Sequence, residues 1–189
     1  MKNLIIIACF AIGFNAFAQN DTQAETLLNE VSTKIKNYNN ISLDFKYELN
    51  NISENIKQET RGDVVIEDEK YKLNILGITR IFDGKTLYTI SPEDEEVTIS
   101  SDNTEDESTI TPSEMLSFYE DGYTYKMDIT QTVKGRKIQY VKLSPIDTNS
   151  EIKHVSLGID ATTKHIYNLI EVGKNGTKTT LTVNSFKTD

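Results

Sequence analysis

Apolar and charged residues alternate without interruption over residues 43–49, in the sequence Leu-Asp-Phe-Lys-Tyr-Glu-Leu. This period of two is typical of a strand with one buried and one solvent-facing side. Turn signals such as Asp83-Gly84 and Asn175-Gly176 separate further segments of similar character, which predicts a meandering antiparallel sheet. These segments lie near residues 56–67, 70–77, 79–83, 86–91, 96–100, 123–130, 136–144, 152–159, 165–172 and 177–186.

Two amphipathic helices accompany the predicted strands. Thr22 and Glu25 have the spacing of a capping box, which begins a helix before the first strand. A short, strongly apolar helix is predicted from Pro112 to Gly122, with Glu114 in its first turn. The fold class is therefore mainly β with a few helices (α+β). The first helix presents one apolar stripe, formed by Ala24, Leu27, Leu28, Val31, Ile35 and Tyr38.

One face of the predicted sheet is broadly apolar, and two helices are too few to cover it with a thick core. Two interpretations stay open: curvature and helices fill the space completely, or they leave a lidded cavity for an apolar ligand. The second helix would supply Met115, Leu116, Phe118 and Tyr119 as the lid. The residues expected on the sheet face are Phe45, Tyr47, Leu49, Leu73, Ile75, Ile81, Tyr88, Ile90, Tyr125, Met127, Leu157 and Leu169.

The amino terminus has the pattern of an export signal. Lys2 provides a positive charge, residues 4–14 form an apolar run, and Ala16-Phe17-Ala18 supplies small residues for signal peptidase. The run is too short for a bilayer span, which needs about 20 residues. We therefore expect cleavage after Ala18, with Gln19 as the new terminus and a periplasmic location.

Cys9 lies within this segment, and Ile6-Ile7-Ala8-Cys9 loosely resembles a lipobox. Lipidation at Cys9 would leave only residues 4–8 as the hydrophobic stretch, shorter than the roughly 7–15 residues that an export signal needs. The predicted organisation is therefore a signal peptide over residues 1–18 and one domain over residues 19–189. The mature domain contains no cysteine, which excludes disulfides and thiol catalysis.

The charge and the titratable residues argue against several functions. A net charge of −9 without any basic stripe excludes nucleic-acid binding. His154 and His165 lack metal-ligand spacing, and no catalytic motif is present. Carboxylates could supply an acid/base pair, but no local signature singles one out. The sequence predicts no enzyme, no metal site and no cofactor.

Several segments, in order after the predicted export signal, carry a family resemblance over residues 22–186. The chain resembles the outer-membrane lipoprotein carrier family of the Lol pathway, in the form found in lineages related to Bacteroidetes. The matching segments are the first helix, Ser42-Leu-Asp-Phe45, Gly62-Asp-Val-Val-Ile66, Lys70-Tyr-Lys-Leu73, Asp83-Gly-Lys-Thr-Leu-Tyr88, Pro112-Ser-Glu-Met-Leu-Ser-Phe-Tyr-Glu-Asp-Gly122, Leu143-Ser-Pro145, Ile159-Asp160 and Asn175-Gly-Thr.

The resemblance implies a curved, incompletely closed antiparallel half-barrel whose concave face is covered by helices. It also implies a monomeric periplasmic chaperone that shields the acyl chains of lipoproteins. Its partners would be an inner-membrane lipoprotein-releasing transporter, outer-membrane lipoproteins and an acceptor at the outer membrane. The alternative on the same fold is a sensor or regulatory protein that binds lipid or lipoprotein and signals to a membrane partner.

Two departures from the family pattern affect what can be transferred. Family members carry Arg-Pro after the second long strand, where the Arg bonds to the lid backbone, whereas this chain has Asp68-Glu69 there. Lid closure is therefore expected to rest on apolar contacts of the four lid residues alone. The resemblance also implies one more extended segment beyond the strand ending near Phe186, so a truncated carboxyl terminus is expected.

Overall fold

The computed structural model describes residues 15–101 and 111–189, and its main feature is one antiparallel sheet of eleven strands. The described residues do not include most of the predicted export signal, namely Lys2, Cys9 and the apolar run over residues 4–14. The eleven strands are β1 (Ile41–Asn51), β2 (Ile56–Glu67), β3 (Lys70–Ile75), β4 (Ile78–Phe82), β5 (Leu87–Ser91), β6 (Glu96–Ser100), β7 (Tyr123–Val133), β8 (Arg136–Pro145), β9 (Ile152–Asp160), β10 (Ile166–Gly173) and β11 (Lys178–Thr188).

The strand order is β6-β5-β4-β3-β2-β1-β11-β10-β9-β8-β7, and each neighbouring pair is antiparallel. The first and last strands of the chain therefore pair in the middle of the sheet. β6 and β7 follow each other in sequence but lie at opposite edges, so the sheet does not close into a barrel. The predicted half-barrel fold is confirmed.

The amphipathic helix α1 extends over Asn15–Lys36. It begins before the predicted cap at Thr22, because no Pro or Gly interrupts the chain from Asn15 onwards. The backbone of Ala18 and Gln19 belongs to this helix, and signal cleavage there stays a prediction. Among the described helices, none is both long and apolar enough to cross a bilayer.

The second predicted helix is instead two short 3₁₀ helices, Glu114–Leu116 and Phe118–Glu120. Ser117 between them leaves helical geometry, with φ −131° and ψ −6°, so an α-helix cannot continue. Thr111 and Glu114 exchange hydrogen bonds between side chain and backbone, as in a capping box. We call residues 111–121 the lid.

The buried apolar residues form two clusters on the sheet, which we call the helix-covered core and the cavity core. The helix-covered core joins α1 to β8, β9 and β10, and Tyr119 of the lid is buried within it. The cavity core joins β1–β5 and β11. Ile35 and Leu116 pack against both clusters. The site described next lies over the cavity core.

Candidate functional site

A cavity of about 530 Å³ lies between the lid and the strands of the cavity core. This volume is within the range of small-molecule sites, roughly 300–1,000 Å³. Most of the lining is aliphatic or aromatic, so the cavity suits an apolar ligand. The lining residues are Leu43, Phe45, Tyr47, Val64, Ile66, Tyr71, Leu73, Ile75, Arg80, Thr111, Pro112, Met115, Leu116, Ile166, Leu169, Leu181, Val183 and Phe186.

The floor of the cavity follows from strand register. Phe186, Leu43, Val64 and Leu73 pair in succession across β11, β1, β2 and β3, so their side chains share one face of the sheet. We call this the inner face. A bulge at Asn184 lets Val183 as well as Phe186 line the cavity, although one residue number is odd and the other even.

Gly62 allows an aromatic ring to lie flat on the floor. It pairs with Phe45 on β1 and with Ile75 on β3. A Cβ atom at Gly62 would stand 2.6 Å from the Phe45 ring and 2.5 Å from the carbonyl oxygen of Asn74. Any larger residue would lift the ring into the cavity, so this glycine contributes to the cavity's volume.

The lid forms the roof, and its side chains divide between the two cores. Met115 and Leu116 line the cavity. Tyr119 is instead 1% exposed in the helix-covered core, where burial raises the pKa of its phenol. Phe118 packs edge-on against both Tyr119 and Tyr123, with ring centroids 5.7 and 5.8 Å away. The lid is therefore anchored at its far end and covers the cavity with its near end.

Polar contacts also fix the lid. Glu120 accepts a hydrogen bond from Ser32 at 2.6 Å, and Lys36 Nζ lies 2.8 and 2.9 Å from its two carboxylate oxygens. These bonds from Lys36 and Ser32 lower the pKa of Glu120. At the near end, Ser113 Oγ donates to the backbone carbonyl of Asp68 at 3.2 Å.

The expectation that closure rests on apolar contacts alone is therefore wrong. The backbone carbonyl oxygen of Asp68, in the turn between β2 and β3, accepts a hydrogen bond from the side chain of Ser113 in the lid. A sequence pattern does not show this contact, because its two partners are 45 residues apart and one of them is main chain.

The end of the cavity at Phe186 is closed by a small aromatic cluster. The His165 ring stacks on Phe186 at 3.9 Å, and its Nε2 is hydrogen-bonded to the Tyr38 hydroxyl at 2.8 Å. Burial, followed by the charge of Lys34, lowers the pKa of His165. A neutral ring is thus favoured at this wall.

The sequence itself assigns the family. A model of the family described as outer membrane lipoprotein carrier protein LolA matches residues 36–189. The chain belongs to the LolA family. Membership indicates a protein that binds lipids or lipoproteins outside the cytoplasm, in a family of binding proteins and chaperones rather than enzymes. Among curated proteins, none matches the sequence.

Two solved structures share the fold of this chain at low sequence identity. LprF from Mycobacterium bovis has a TM-score of 0.59 and 14% identity, over 87% of this chain and 93% of LprF. An uncharacterized conserved protein from Thermus thermophilus has a TM-score of 0.58 and 10% identity, over 88% of both chains. A weaker match is LolA superfamily protein NE2245 from Nitrosomonas europaea, with a TM-score of 0.43 and 10% identity, over 88% of this chain and 93% of that protein.

The predicted site residues of this LolA-family chain fall into four groups. Seven line the cavity: Phe45, Tyr47, Leu73, Ile75, Met115, Leu116 and Leu169. Leu49 lies on the inner face of β1 beyond the lining. The helix-covered core and its border contain Phe118, Tyr119, Tyr125, Met127 and Leu157. The remaining three, on the opposite face of the sheet, are Ile81, Tyr88 and Ile90.

The placement of the last three residues corrects the sequence prediction. Ile75 pairs with Ile78 across a two-residue turn, so the even-numbered residues of β4 face inward. Ile81 therefore points away from the cavity, and Tyr88 and Ile90 follow it on β5. The register of a tight hairpin decides the face, and the apolar content of a strand does not reveal it.

Eleven lining residues were not predicted from the sequence. The signal for Arg80 was present, because Ile78 and Phe82 flank it at a spacing of two and the turn before them ends in Gly77. Leu43 belongs to the same alternating run as Phe45. The other missed residues are Val64, Ile66, Tyr71, Thr111, Pro112, Ile166, Leu181, Val183 and Phe186.

Proposed function

We propose that this chain is an exported periplasmic carrier that binds the acyl chains of lipoproteins in the cavity. It collects them from an inner-membrane lipoprotein-releasing transporter and delivers them to an acceptor at the outer membrane. The observation that carries this proposal is the apolar cavity of about 530 Å³ beneath a lid that is hydrogen-bonded to α1 at one end and to Asp68 at the other. Membership of the LolA family supports it.

The energetics of such a carrier agree with the lid contacts. Burying an acyl chain is favourable by about 0.8 kcal/mol per CH₂, so a loaded protein keeps the chain away from water. Delivery then requires a lid whose open and closed forms differ little in free energy. The near end of the lid, held by the Ser113 contact near solvent, meets this requirement, while Tyr119 keeps the far end in the helix-covered core.

Release and delivery of a lipoprotein test the proposal. Spheroplasts that synthesise a labelled outer-membrane lipoprotein are incubated with the purified protein, and the soluble complex is then mixed with outer-membrane vesicles. We expect release and delivery by the wild type and by Ile81→Asp, whose new charge lies on the opposite face. Ile75→Asp places the charge in the cavity and should lose both activities.

Two results would overturn the carrier proposal. Equal activity of Ile75→Asp and Ile81→Asp would show that the cavity is not used. A wild-type protein that binds lipoprotein but never delivers it, while a membrane receptor co-purifies with it, would identify a sensor.

The processing of the amino terminus is a separate part of the proposal. A shuttle between two membranes cannot be tethered by a lipid of its own, so the signal must be removed after Ala18. Intact-mass measurement of the exported protein should give a chain that begins at Gln19. A mature protein acylated at Cys9 would contradict the shuttle and favour an anchored receptor.

A further inference from the structure

The two ends of the cavity differ in their access to solvent. One end is closed at Phe186 by the aromatic cluster described above. At the other end the lining stops at Tyr47 and Leu181, which pair across β1 and β11. The next inner-face positions on these strands are Leu49 and Thr179, and both are only half-buried. We call this end the mouth, and an acyl chain with its tail at Phe186 would place its polar head there.

Glu171 places a carboxylate at the mouth. It pairs with Thr179 on β11 and lies two residues along β10 from Leu169, which lines the cavity. Two residues of a strand span about 7 Å, so Glu171 lies just outside the lining, beside the head of a ligand inside it. The inner-face row that contains Glu171 has no other charged residue and consists of Tyr125, Leu143, Val155, Glu171, Thr179 and Leu49.

The charge of Glu171 has no compensating partner in the described part of the chain. Within residues 15–101 and 111–189, its carboxylate forms neither a hydrogen bond nor an ion pair. The side chain is half-buried, and burial raises its pKa. Burial, followed by the charge of Glu171, also raises the pKa of Tyr123, so the two side chains lie close together. Because a carboxylate partly withdrawn from water is costly without a partner, a ligand that brings a positive charge to this position is favoured.

We propose that Glu171 binds a primary ammonium group in the polar head of the acyl ligand. An ammonium group has three N–H donors, and the hydroxyl oxygen of Thr179, the cross-strand neighbour, can accept one that the carboxylate does not. In a diacylated lipoprotein the α-amino group of the first residue lies a few bonds from the esters, so the chains and the amine can be held together. This inference rests on the proposed acyl-binding function and adds to it a preference for a free amine over an acylated one.

Competition between matched lipopeptides tests the ammonium site. A cysteine peptide amide that carries a dipalmitoylglyceryl group on its sulfur is used with a free α-amino group and with that group acetylated. The free amine is mostly protonated at pH 7, because the pKa of an α-amino group is about 7.7–8.0. Each form is titrated against bound N-phenyl-1-naphthylamine in the wild type, Glu171→Gln, Glu171→Asp and Glu67→Gln. Glu67 is exposed on the opposite face of β2, so its variant is a matched control for loss of charge.

We expect the wild type and Glu67→Gln to bind the free amine about tenfold more tightly than the acetylated form. Glu171→Gln should bind both forms equally, because it keeps the size of the side chain and loses the charge. Glu171→Asp keeps the charge on a shorter side chain and should retain part of the preference. Urea unfolding establishes that each variant is folded, and Glu171→Asp keeps the test valid if Glu171→Gln is not.

A second pair of probes, lysophosphatidylethanolamine and its N-acetyl form, distinguishes two sources of the amine. A preference that depends on Glu171 in the lipopeptide pair alone would identify the amino terminus of a lipoprotein. The same preference in the phospholipid pair alone would identify an aminophospholipid.

Two failures are distinguishable. No preference for a free amine in the wild type, or an unchanged preference in Glu171→Gln, would overturn the ammonium site and leave acyl binding in the cavity in place. Failure of all four probes to displace N-phenyl-1-naphthylamine from the wild type would overturn the proposed function itself.

Discussion

The β7–β10 half and the β1–β5 half of the sheet share the same alternation of residues, yet one is filled and the other holds a cavity. α1 lies over the first half and buries Ala24, Leu27, Leu28 and Val31 against it. The second half is roofed by the near end of the lid, in which each 3₁₀ helix has three residues. A long helix can fill the space above a curved sheet, whereas a short lid can only span it.

The two halves of the sheet therefore have different roles, one in stability and the other in binding. Close packing in the helix-covered core makes it the part that stabilises the fold. The cavity core is packed less completely and leaves space for a ligand, as reversible binding requires. Leu116 and Ile35 contact both cores and connect them.

The strongest test of this division compares one truncation in each half. Leu157→Ala in the helix-covered core should lower the free energy of unfolding by about 2–5 kcal/mol, because Leu157 is fully buried and a new void would form. Leu73→Ala should cost less than about half as much, because Leu73 is half-buried beside an existing cavity. Urea unfolding measures both, and equal losses would break the distinction.

Weakening the Glu120 contacts at the far end of the lid tests whether they keep the lid closed over the cavity. Glu120→Gln weakens the bonds with Lys36 and Ser32, and their exposure limits the stability loss to about 0.2–1 kcal/mol. We expect a dissociation rate of bound acyl probe up to about fivefold higher in stopped-flow fluorescence. Glu48→Gln, which weakens the Lys46–Glu48 pair on the other face of β1, should leave the rate unchanged. The same rate in all three proteins would show that this contact does not hold the lid.

His165 gives the wall between α1 and the cavity a pH dependence. Its pKa is lowered from 6.5, so the unfolded chain binds more protons than the folded protein just below that pH. The His165 contribution is present above pH 6.5 and is lost as the pH falls through the lowered pKa. His165→Gln keeps an acceptor for the Tyr38 hydroxyl without titrating.

Urea unfolding at pH 7.5 and pH 5.5 measures this effect as the difference between the wild type and His165→Gln. His154, with a lowered pKa, and Glu171, raised by burial, occur in both proteins and cancel. The wild type should lose more stability on acidification than the variant. A larger loss in the variant would contradict the burial argument.

An effect on stability without an effect on binding is expected at the hairpin that sets the register of β4. Leu76 and Gly77 both have positive φ, 55° and 78°, and Leu76 is 72% exposed. Asn tolerates this conformation better than Leu, so Leu76→Asn should raise the free energy of unfolding by up to about 1 kcal/mol. Acyl binding should not change, which would separate stability from function within the cavity half. A loss of binding would indicate that the turn contributes to the cavity.

Strand content, helix amphipathicity and family were predictable from the sequence, because each follows from local pattern or ordered segments. The run around Phe45 predicts β1, and the stripe containing Leu27 and Val31 predicts the buried face of α1. The side chains of a strand that face inward after a tight turn were not predictable in the same way. As a result, Ile81 was predicted to line the cavity in place of Arg80.

The lid was harder to predict than the sheet. Its apolar residues were recognisable, but Ser117 divides them between two cores and no periodicity shows that division. Its polar contacts join residues distant in sequence, such as Ser113 with Asp68 and Glu120 with Lys36. Contacts of this kind depend on the assembled fold and not on local pattern.

We propose that the cavity beneath the lid holds acyl chains. Native mass spectrometry of protein purified under mild conditions, followed by identification of the released ligand, tests it most directly. We predict acyl-containing material on the wild type and on Ile81→Asp, and little or none on Ile75→Asp. A wild type that remains ligand-free even after incubation with a triacylated lipopeptide, or equal loading of all three proteins, would contradict the claim.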